Sequence, residues 1–200
     1  MGMALGIVLV MSVYALLSSY YLALSIAMQT GLGMSALGAG SVYTPAAVMF
    51  FVFSLVASRT VPKYGRRVLE VGAIVLAVGY LSTAVVLLSG PRFTPLLVIP
   101  TLMLQSVGGG LLITPLLNTV LARIAPETVG KAFGALSTAQ QIGAAVGVAV
   151  IGAVFFGSFH PTNEGSAAAG HAFGMASLGT FVVAAGVSLL VFLLPRSASR

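Results

Sequence analysis

Four polar side chains recur on one face of the first apolar stretch of this 200-residue sequence. Tyr14, Ser18, Tyr21 and Ser25 follow the spacing i, i+4, i+7 and i+11, which places them on the same side of an α-helix. Hydroxyl groups donate and accept hydrogen bonds, and tyrosine rings add apolar contact area. The pattern suits a face that binds a small molecule or one that hydrogen-bonds to neighbouring helices, and both interpretations stay open.

A second polar face occurs in the fourth apolar stretch, where Thr101 and Gln105 lie near the middle and Asn118 near one end. Unpaired polar groups cost several kcal/mol in lipid, so these side chains must meet protein or a water-filled cavity. Interhelical hydrogen bonding again remains an alternative. The candidates for lining a substrate path are Tyr14, Ser18, Tyr21, Ser25, Gln105 and Asn118.

Groups that carry out covalent chemistry are not arranged for it in this sequence. No ionisable residue falls in the middle of an apolar stretch, and there is no cysteine. His160 and His171 do not have a metal-ligand spacing with Glu164, and no glycine loop precedes Lys-Ser/Thr for phosphate binding. The sequence therefore predicts no catalytic residue, metal or cofactor, and an intramembrane enzyme is disfavoured.

The elements that position these side chains are predicted to be membrane helices. Apolar residues make up 58% of the chain and charged residues 6%, far from the composition of a soluble domain. Six stretches are long enough to cross a bilayer. Their predicted ranges are 4–28, 36–57, 68–88, 95–121, 132–156 and 171–194. We expect a single all-α domain whose environment is the lipid bilayer, with no nucleic-acid partner.

The charges between the spans predict an orientation. With a cytoplasmic N-terminus, the inner segments carry eight basic residues and the outer segments carry only Arg92. The eight are Arg59, Lys63, Arg66, Arg67, Arg123, Lys131, Arg196 and Arg200. We therefore predict a plasma-membrane protein with both termini inside. Spans one to three and spans four to six then have opposite orientations in the membrane, as in a 3+3 inverted repeat.

Glycine and proline mark special positions in the helices. Residues 108–110 are consecutive glycines and Pro115 follows in the same span, so this helix is predicted to be bent or pliable, or else closely packed. Gly143 and Gly147 form a small-xxx-small pair, which predicts close packing against another helix.

Two segments of the sequence resemble the major facilitator superfamily. The basic segment 58–67, SRTVPKYGRR, resembles the short inner-loop motif of that family at Lys63, Gly65, Arg66 and Arg67, with Arg59 beside them. Ser58 and Pro62 differ from the family pattern. The segments 126–132, PETVGKA, and 138–147, TAQQIGAAVG, resemble the closing helices of the fourteen-span drug:proton antiporters.

This resemblance covers nearly the whole chain and implies the C-terminal six spans of such a carrier. It implies that spans one and four line a central cavity, that two and five meet the other half, and that three and six face lipid. The inner-loop residues Arg59, Lys63, Gly65, Arg66 and Arg67 would shape an inner gate.

The leading hypothesis is therefore one half of a proton-coupled exporter of drugs or other small organic molecules. It requires an N-terminal half, or another six-span chain, to supply the titrating group, because coupled carriers usually keep a carboxylate within the membrane. We expect these 200 residues alone not to drive export. The alternative is a non-transporting remnant or a partner subunit of a membrane complex.

Overall fold

Six long helices form the fold. The computed structural model describes residues 3–90, 93–121, 129–159 and 165–193. The helices are α1 (Met3–Ile26), α2 (Ala36–Tyr64), α3 (Arg66–Leu88), α4 (Pro95–Leu121), α5 (Val129–Ser158) and α6 (Gly165–Leu193). All six are long and apolar enough to cross a membrane. The predicted all-α bundle of six membrane helices is confirmed, and the chain is a multi-pass membrane protein.

Helix α4 has the predicted bounds, whereas the other helices begin earlier or end later than the predicted spans. After Ile26 the backbone continues as a π-helical turn, Ala27–Gly31. This turn extends into the polar segment that follows the first predicted span. Helix α2 includes the basic residues up to Tyr64, because Pro62 lies in its last turn and removes only one backbone hydrogen bond. Gly65 alone separates α2 from α3, with a φ of 55° that favours glycine. Helix α6 begins at Gly165 rather than 171, through three alanines that favour helix.

Most of the main helix pairs are related by exchanging the two three-helix units, α1–α3 and α4–α6. The most extensive contacts join α1 to α5, α2 to α4, α3 to α4 and α3 to α6. Exchanging α1–α3 with α4–α6 turns the α1–α5 pair into the α4–α2 pair and leaves the α3–α6 pair unchanged. The α3–α4 pair departs from this exchange, because its counterpart α6–α1 is much less extensive. Three of the four main pairs thus follow the pattern of an inverted repeat.

Glycines allow the closest helix approaches in the described ranges. A Cβ atom on Gly143 would lie 2.7 Å from Met11 Cα, and one on Gly147 would lie 2.5 Å from Ala15 Cα. In α4, Gly108 meets the backbone of α3 at Leu76, while a Cβ on Gly110 would lie 2.7 Å from the carbonyl oxygen of Phe50 in α2. The consecutive glycines therefore allow close packing on two sides of α4. Helix α4 continues as one helix past Pro115.

Several residues used in the predictions lie outside the described ranges. These are Arg92, Arg123, Pro126, Glu127, Thr128, His160, Glu164, Arg196 and Arg200.

Candidate functional site

An open cavity of about 620 Å³ lies between α1, α2 and α4. This volume is in the usual range for small-molecule sites. Tyr14, Leu17, Tyr21, Ser25, Tyr43, Ala47, Phe50 and Ile113 line it. Helix α1 contributes four of the eight because their spacing repeats every three or four residues along one face. The cavity is therefore a largely apolar, aromatic surface that carries a few hydroxyl groups.

The aromatic wall of this cavity is held by contacts between α1 and α2. The Tyr21 and Tyr43 rings meet edge to face with centroids 5.4 Å apart. The Tyr43 hydroxyl donates to the backbone carbonyl of Tyr21 at 3.3 Å. One turn further along α1, the Ser25 hydroxyl accepts a hydrogen bond of 2.8 Å from Gln29 Nε2 in the π-helical turn. The two contacts between Tyr21 and Tyr43 orient their rings in the absence of a ligand.

The predicted path residues separate into two groups in the structure. Tyr14, Tyr21 and Ser25 line the cavity together. Ser18 is half-buried and Asn118 is exposed on α4, and neither is among the lining residues. The spacing argument thus brings together three of the four α1 residues.

Gln105 does not line the cavity but lies between α3 and α4. It is 1% exposed. Its side-chain Nε2 donates to Tyr80 Oη at 3.4 Å. The close approach depends on Gly79, where a Cβ would lie 2.6 Å from Gln105 Cα. The polar face of α4 therefore turns towards α3, and Ile113 is the α4 residue that reaches the cavity.

A chain of buried hydroxyl groups joins α1, α3 and α4 behind the cavity. Tyr20 Oη and Thr83 Oγ1 are 2.9 Å apart, and Thr83 Oγ1 is 2.9 Å from Thr101 Oγ1. Thr101 donates to the carbonyl of Val98 at 2.8 Å. Since each hydroxyl has one proton, Thr101 then accepts from Thr83, and Thr83 accepts from Tyr20. Thr83 Oγ1 can also donate to the carbonyl oxygen of Gly79 at 3.2 Å, and with either acceptor its single proton is used, so Tyr20 is the donor to Thr83.

Replacing Tyr20 by phenylalanine should therefore destabilise the protein. The ring would still fill its place against Tyr80 and Phe173, but Thr83 would lose its buried donor. We expect the free energy of unfolding to fall by about 1–2 kcal/mol, measured by thermal unfolding in nanodiscs. Tyr64→Phe is the matched control, because Tyr64 is exposed and should change stability by no more than about 0.5 kcal/mol. Equal effects of the two changes would contradict this account of Tyr20.

The predicted gate residues collect where α2 ends and α3 begins. Arg66 Nη2 donates to the carbonyl oxygen of Val191 in α6, and Arg66 Nε lies 2.8 Å from Glu70 Oε1. Lys63 and Arg67 are exposed, with Lys63 Nζ 5.2 Å from the centre of the Tyr64 ring. Arg59 is also exposed on α2, and Gly65 forms the turn. Arg66 thus joins α3 to α6 within this bundle.

A second groove, of about 320 Å³, lies on the other side of α1 between α5 and α6. Val8, Met11, Ala15, Gly143 and Gly147 are among its lining residues. Its polar side chains are Ser12 and Ser19, and both hydroxyls donate to backbone carbonyls within α1. This groove offers apolar contact and hydroxyl groups whose protons are already used, so the aromatic cavity is the stronger candidate site.

Some cavity residues were not found by sequence reasoning. Tyr43, Ala47 and Phe50 come from α2, and the spacing i, i+4, i+7 of these three residues was an available signal. They were missed because Tyr43 is the only one of the three with a polar group, whereas Ala47 and Phe50 are apolar. Aromatic residues are common on any membrane helix, so the signal is weak.

Comparisons with known sequences find a family and several relatives that match this chain. The family described as the Major Facilitator Superfamily matches residues 4–200. The probable actinorhodin transporter of Streptomyces coelicolor is 32% identical over 158 residues, which are 77% of this chain and 27% of that protein.

Two further relatives are similar over 64% of this chain. The cephamycin export protein CmcT of Amycolatopsis lactamdurans is 34% identical over 133 residues, 26% of its length. The multidrug efflux pump LfrA of Mycolicibacterium smegmatis is 30% identical over 129 residues, 25% of its length. The chain thus spans about a quarter of the length of the curated relatives it matches.

Proposed function

This chain belongs to the Major Facilitator Superfamily, and we propose that it forms one six-helix half of a carrier that exports amphipathic aromatic molecules. The observation that carries the proposal is the cavity between α1, α2 and α4. Four of its eight lining residues are aromatic, Tyr14, Tyr21, Tyr43 and Phe50. Such rings stack on planar molecules and attract cations, so a planar organic cation fits this wall.

The names of three relatives describe a transporter, an export protein and an efflux pump. By analogy with these relatives, we propose export by alternating access, with this bundle rocking against a second six-helix half. The protein would lie in the plasma membrane with both termini in the cytoplasm. Lys63 and Arg67, exposed at one end of the bundle, would contact the second half when the inner side closes.

Proton coupling would then depend on a group in the other half. Glu70 is the acidic residue within the described ranges, and it pairs with Arg66 in the first turn of α3. A carboxylate that binds and releases the coupling proton belongs deeper in the membrane. In this proposal the six-helix half described here lines the substrate cavity, and the other half supplies the carboxylate that binds the coupling proton.

Replacing Tyr21 by alanine tests this function. We expect cells that express the complete gene to export ethidium, a planar aromatic cation. Tyr21→Ala should lower the initial export rate about tenfold or more, because the ring forms the wall and orients Tyr43. Export is measured as the loss of ethidium fluorescence from preloaded, energised cells.

Phe192→Ala provides the control, since Phe192 is an exposed aromatic residue of α6 outside the cavity and should leave export unchanged. If the wild-type protein exports no ethidium above the vector background, a non-transporting subunit becomes the better account. If Tyr21→Ala exports at the wild-type rate, the cavity is not the path.

A further inference from the structure

A third groove, of about 320 Å³, lies between α2 and α3 on the surface of the bundle. It is open to the surroundings, since Val56 and Val71 in its lining are exposed, and the buried Leu111 of α4 closes it underneath. The lining residues are Phe53, Val56, Thr60, Tyr64, Arg67, Val68, Val71 and Leu111. Five of these eight are apolar, so the groove presents a largely hydrocarbon surface to the outside of the bundle.

The groove results from the way in which α2 and α3 pack. Each makes its main contacts with α4, and the two contact one another much less, although Gly65 alone separates them in the sequence. Beneath the groove, Ala57, Val68 and Leu111 form a small buried cluster apart from the main core. Residues of three helices thus form the walls and the floor.

The groove has the depth of one leaflet of a bilayer. Phe53 lies near the middle of α2 and Tyr64 is its last residue, so the α2 wall is about 16 Å long at the rise of an α-helix. Half of a hydrocarbon core is about 15 Å. An acyl chain laid along the groove therefore reaches from the middle of the membrane to the end of α2, where Arg67 lies at the start of α3.

Arg67 lies at this end of the groove without an acidic partner. Glu70 is the acidic residue of the described ranges, and its Oε1 atom lies 2.8 Å from Arg66 Nε. The exposed Arg67, Lys63 and Arg59 therefore have no carboxylate to pair with in that part of the chain. A guanidinium binds phosphate through two parallel hydrogen bonds, and basic residues at a membrane surface attract anionic lipids.

We propose that this groove binds an anionic phospholipid, with one acyl chain against Val71 and Leu111 and the phosphate on Arg67. In the proposed orientation it is a lipid of the inner leaflet. Such a lipid site does not depend on the export function. Because Arg67 would also contact the second half when the inner side closes, the lipid would occupy the groove while that side is open.

Two phospholipids with identical acyl chains test the charge requirement. Dioleoylphosphatidylglycerol is anionic, and dioleoylphosphatidylcholine is zwitterionic. Each is titrated into the delipidated complete gene product in detergent, and the first bound lipid is measured by native mass spectrometry. The wild-type protein should bind the phosphatidylglycerol about tenfold more tightly, because the choline group of the other lipid cancels its attraction to basic residues.

Arg67→Gln should reduce this preference to about threefold or less, because it removes the positive charge that lines the groove. Lys131→Gln is the matched control. It removes one positive charge from an exposed residue near the start of α5, outside the groove, and should keep the wild-type preference.

The acyl contact is tested by filling the groove. Val71→Phe places a larger side chain in it and should weaken the binding of both lipids about fivefold. Val78→Phe is the matched control, since Val78 is 46% exposed against 51% for Val71, lies further along α3 and does not line the groove. It should bind both lipids as the wild type does. Neither change should lower the thermal midpoint of the delipidated protein, because both side chains are exposed.

Four results would each overturn the lipid site. Equal binding of the two lipids by the wild type would show that the groove holds lipid without selection. A preference that persists in Arg67→Gln would place the phosphate elsewhere. Wild-type affinity in Val71→Phe would show that the acyl chain lies outside the groove, and a lower thermal midpoint of that variant would then indicate that a segment of the second half covers it. Displacement of phosphatidylglycerol by excess glycerol phosphate would indicate a phosphate site without a lipid. Ethidium export is measured separately, so each of these results leaves the carrier function standing.

Discussion

Replacing Gly147 by leucine should separate α5 from α1 and lower the free energy of unfolding by about 3 kcal/mol or more. Even a methyl group at Gly147 would lie 2.5 Å from Ala15 Cα and would also contact the Ala15 carbonyl oxygen. The obstacle is the α1 backbone, which cannot move aside as a flexible side chain could. In a membrane, helix association relies on close packing rather than on the hydrophobic effect, so the lost contact is not replaced. The measurement is the thermal midpoint and the monodisperse fraction after purification.

Gly152→Leu is the matched control for this change. It lies five residues further along α5, and a Cβ there would meet no atom within 4 Å in the described structure. The leucine at 152 should leave the thermal midpoint unchanged, since helix propensity also favours leucine over glycine. If both variants remain equally stable, α1 and α5 are not in the close contact described here.

The number and type of helices could be predicted from the sequence because membrane spanning leaves a strong signal. Long apolar runs bounded by charge identify spans without knowledge of their neighbours. The helix ends were predicted less well. Lys63 and Pro62 indicated a loop, but the helical backbone of α2 continues past them to Tyr64. Charge and proline mark where a helix leaves the bilayer, whereas the helix itself ends only at Gly65, where φ becomes positive.

The lining of the candidate cavity could be predicted on α1 but not on α4. On α1, Tyr14, Tyr21 and Ser25 reach one cavity because helical spacing alone gathers them. On α4, the same argument placed Gln105 on a path, but the rotation of α4 is decided by its neighbour. Gly79 allows α3 to approach Gln105 so closely that the polar face is buried between the two helices. The rotation of a helix about its axis depends on how it packs against its neighbour. The residue pattern of one helix alone does not reveal it.

Replacing Arg66 by alanine should lower the free energy of unfolding by about 2 kcal/mol and loosen the contact between α3 and α6. The guanidinium donates to the carbonyl of Val191 near the end of α6 and pairs with Glu70 one turn along α3. Hydrogen bonds with a charged partner contribute about 1.5–3 kcal/mol when they are partly buried. The loss is measured by thermal unfolding and by hydrogen exchange at the end of α6.

Three further variants separate this connection from a simple effect of positive charge. Arg67→Ala removes an adjacent, exposed arginine and should change stability by no more than about 0.5 kcal/mol. Arg66→Lys keeps the charge but should recover less than half of the loss, because an ammonium cannot copy the planar fork that reaches both partners. Glu70→Gln should cost less than Arg66→Ala, since the bond to Val191 remains. A lysine variant as stable as the wild type would show that charge alone acts at position 66. In that case Arg66 would belong with Lys63 and Arg67 as a residue of the inner gate, rather than act as a link between α3 and α6.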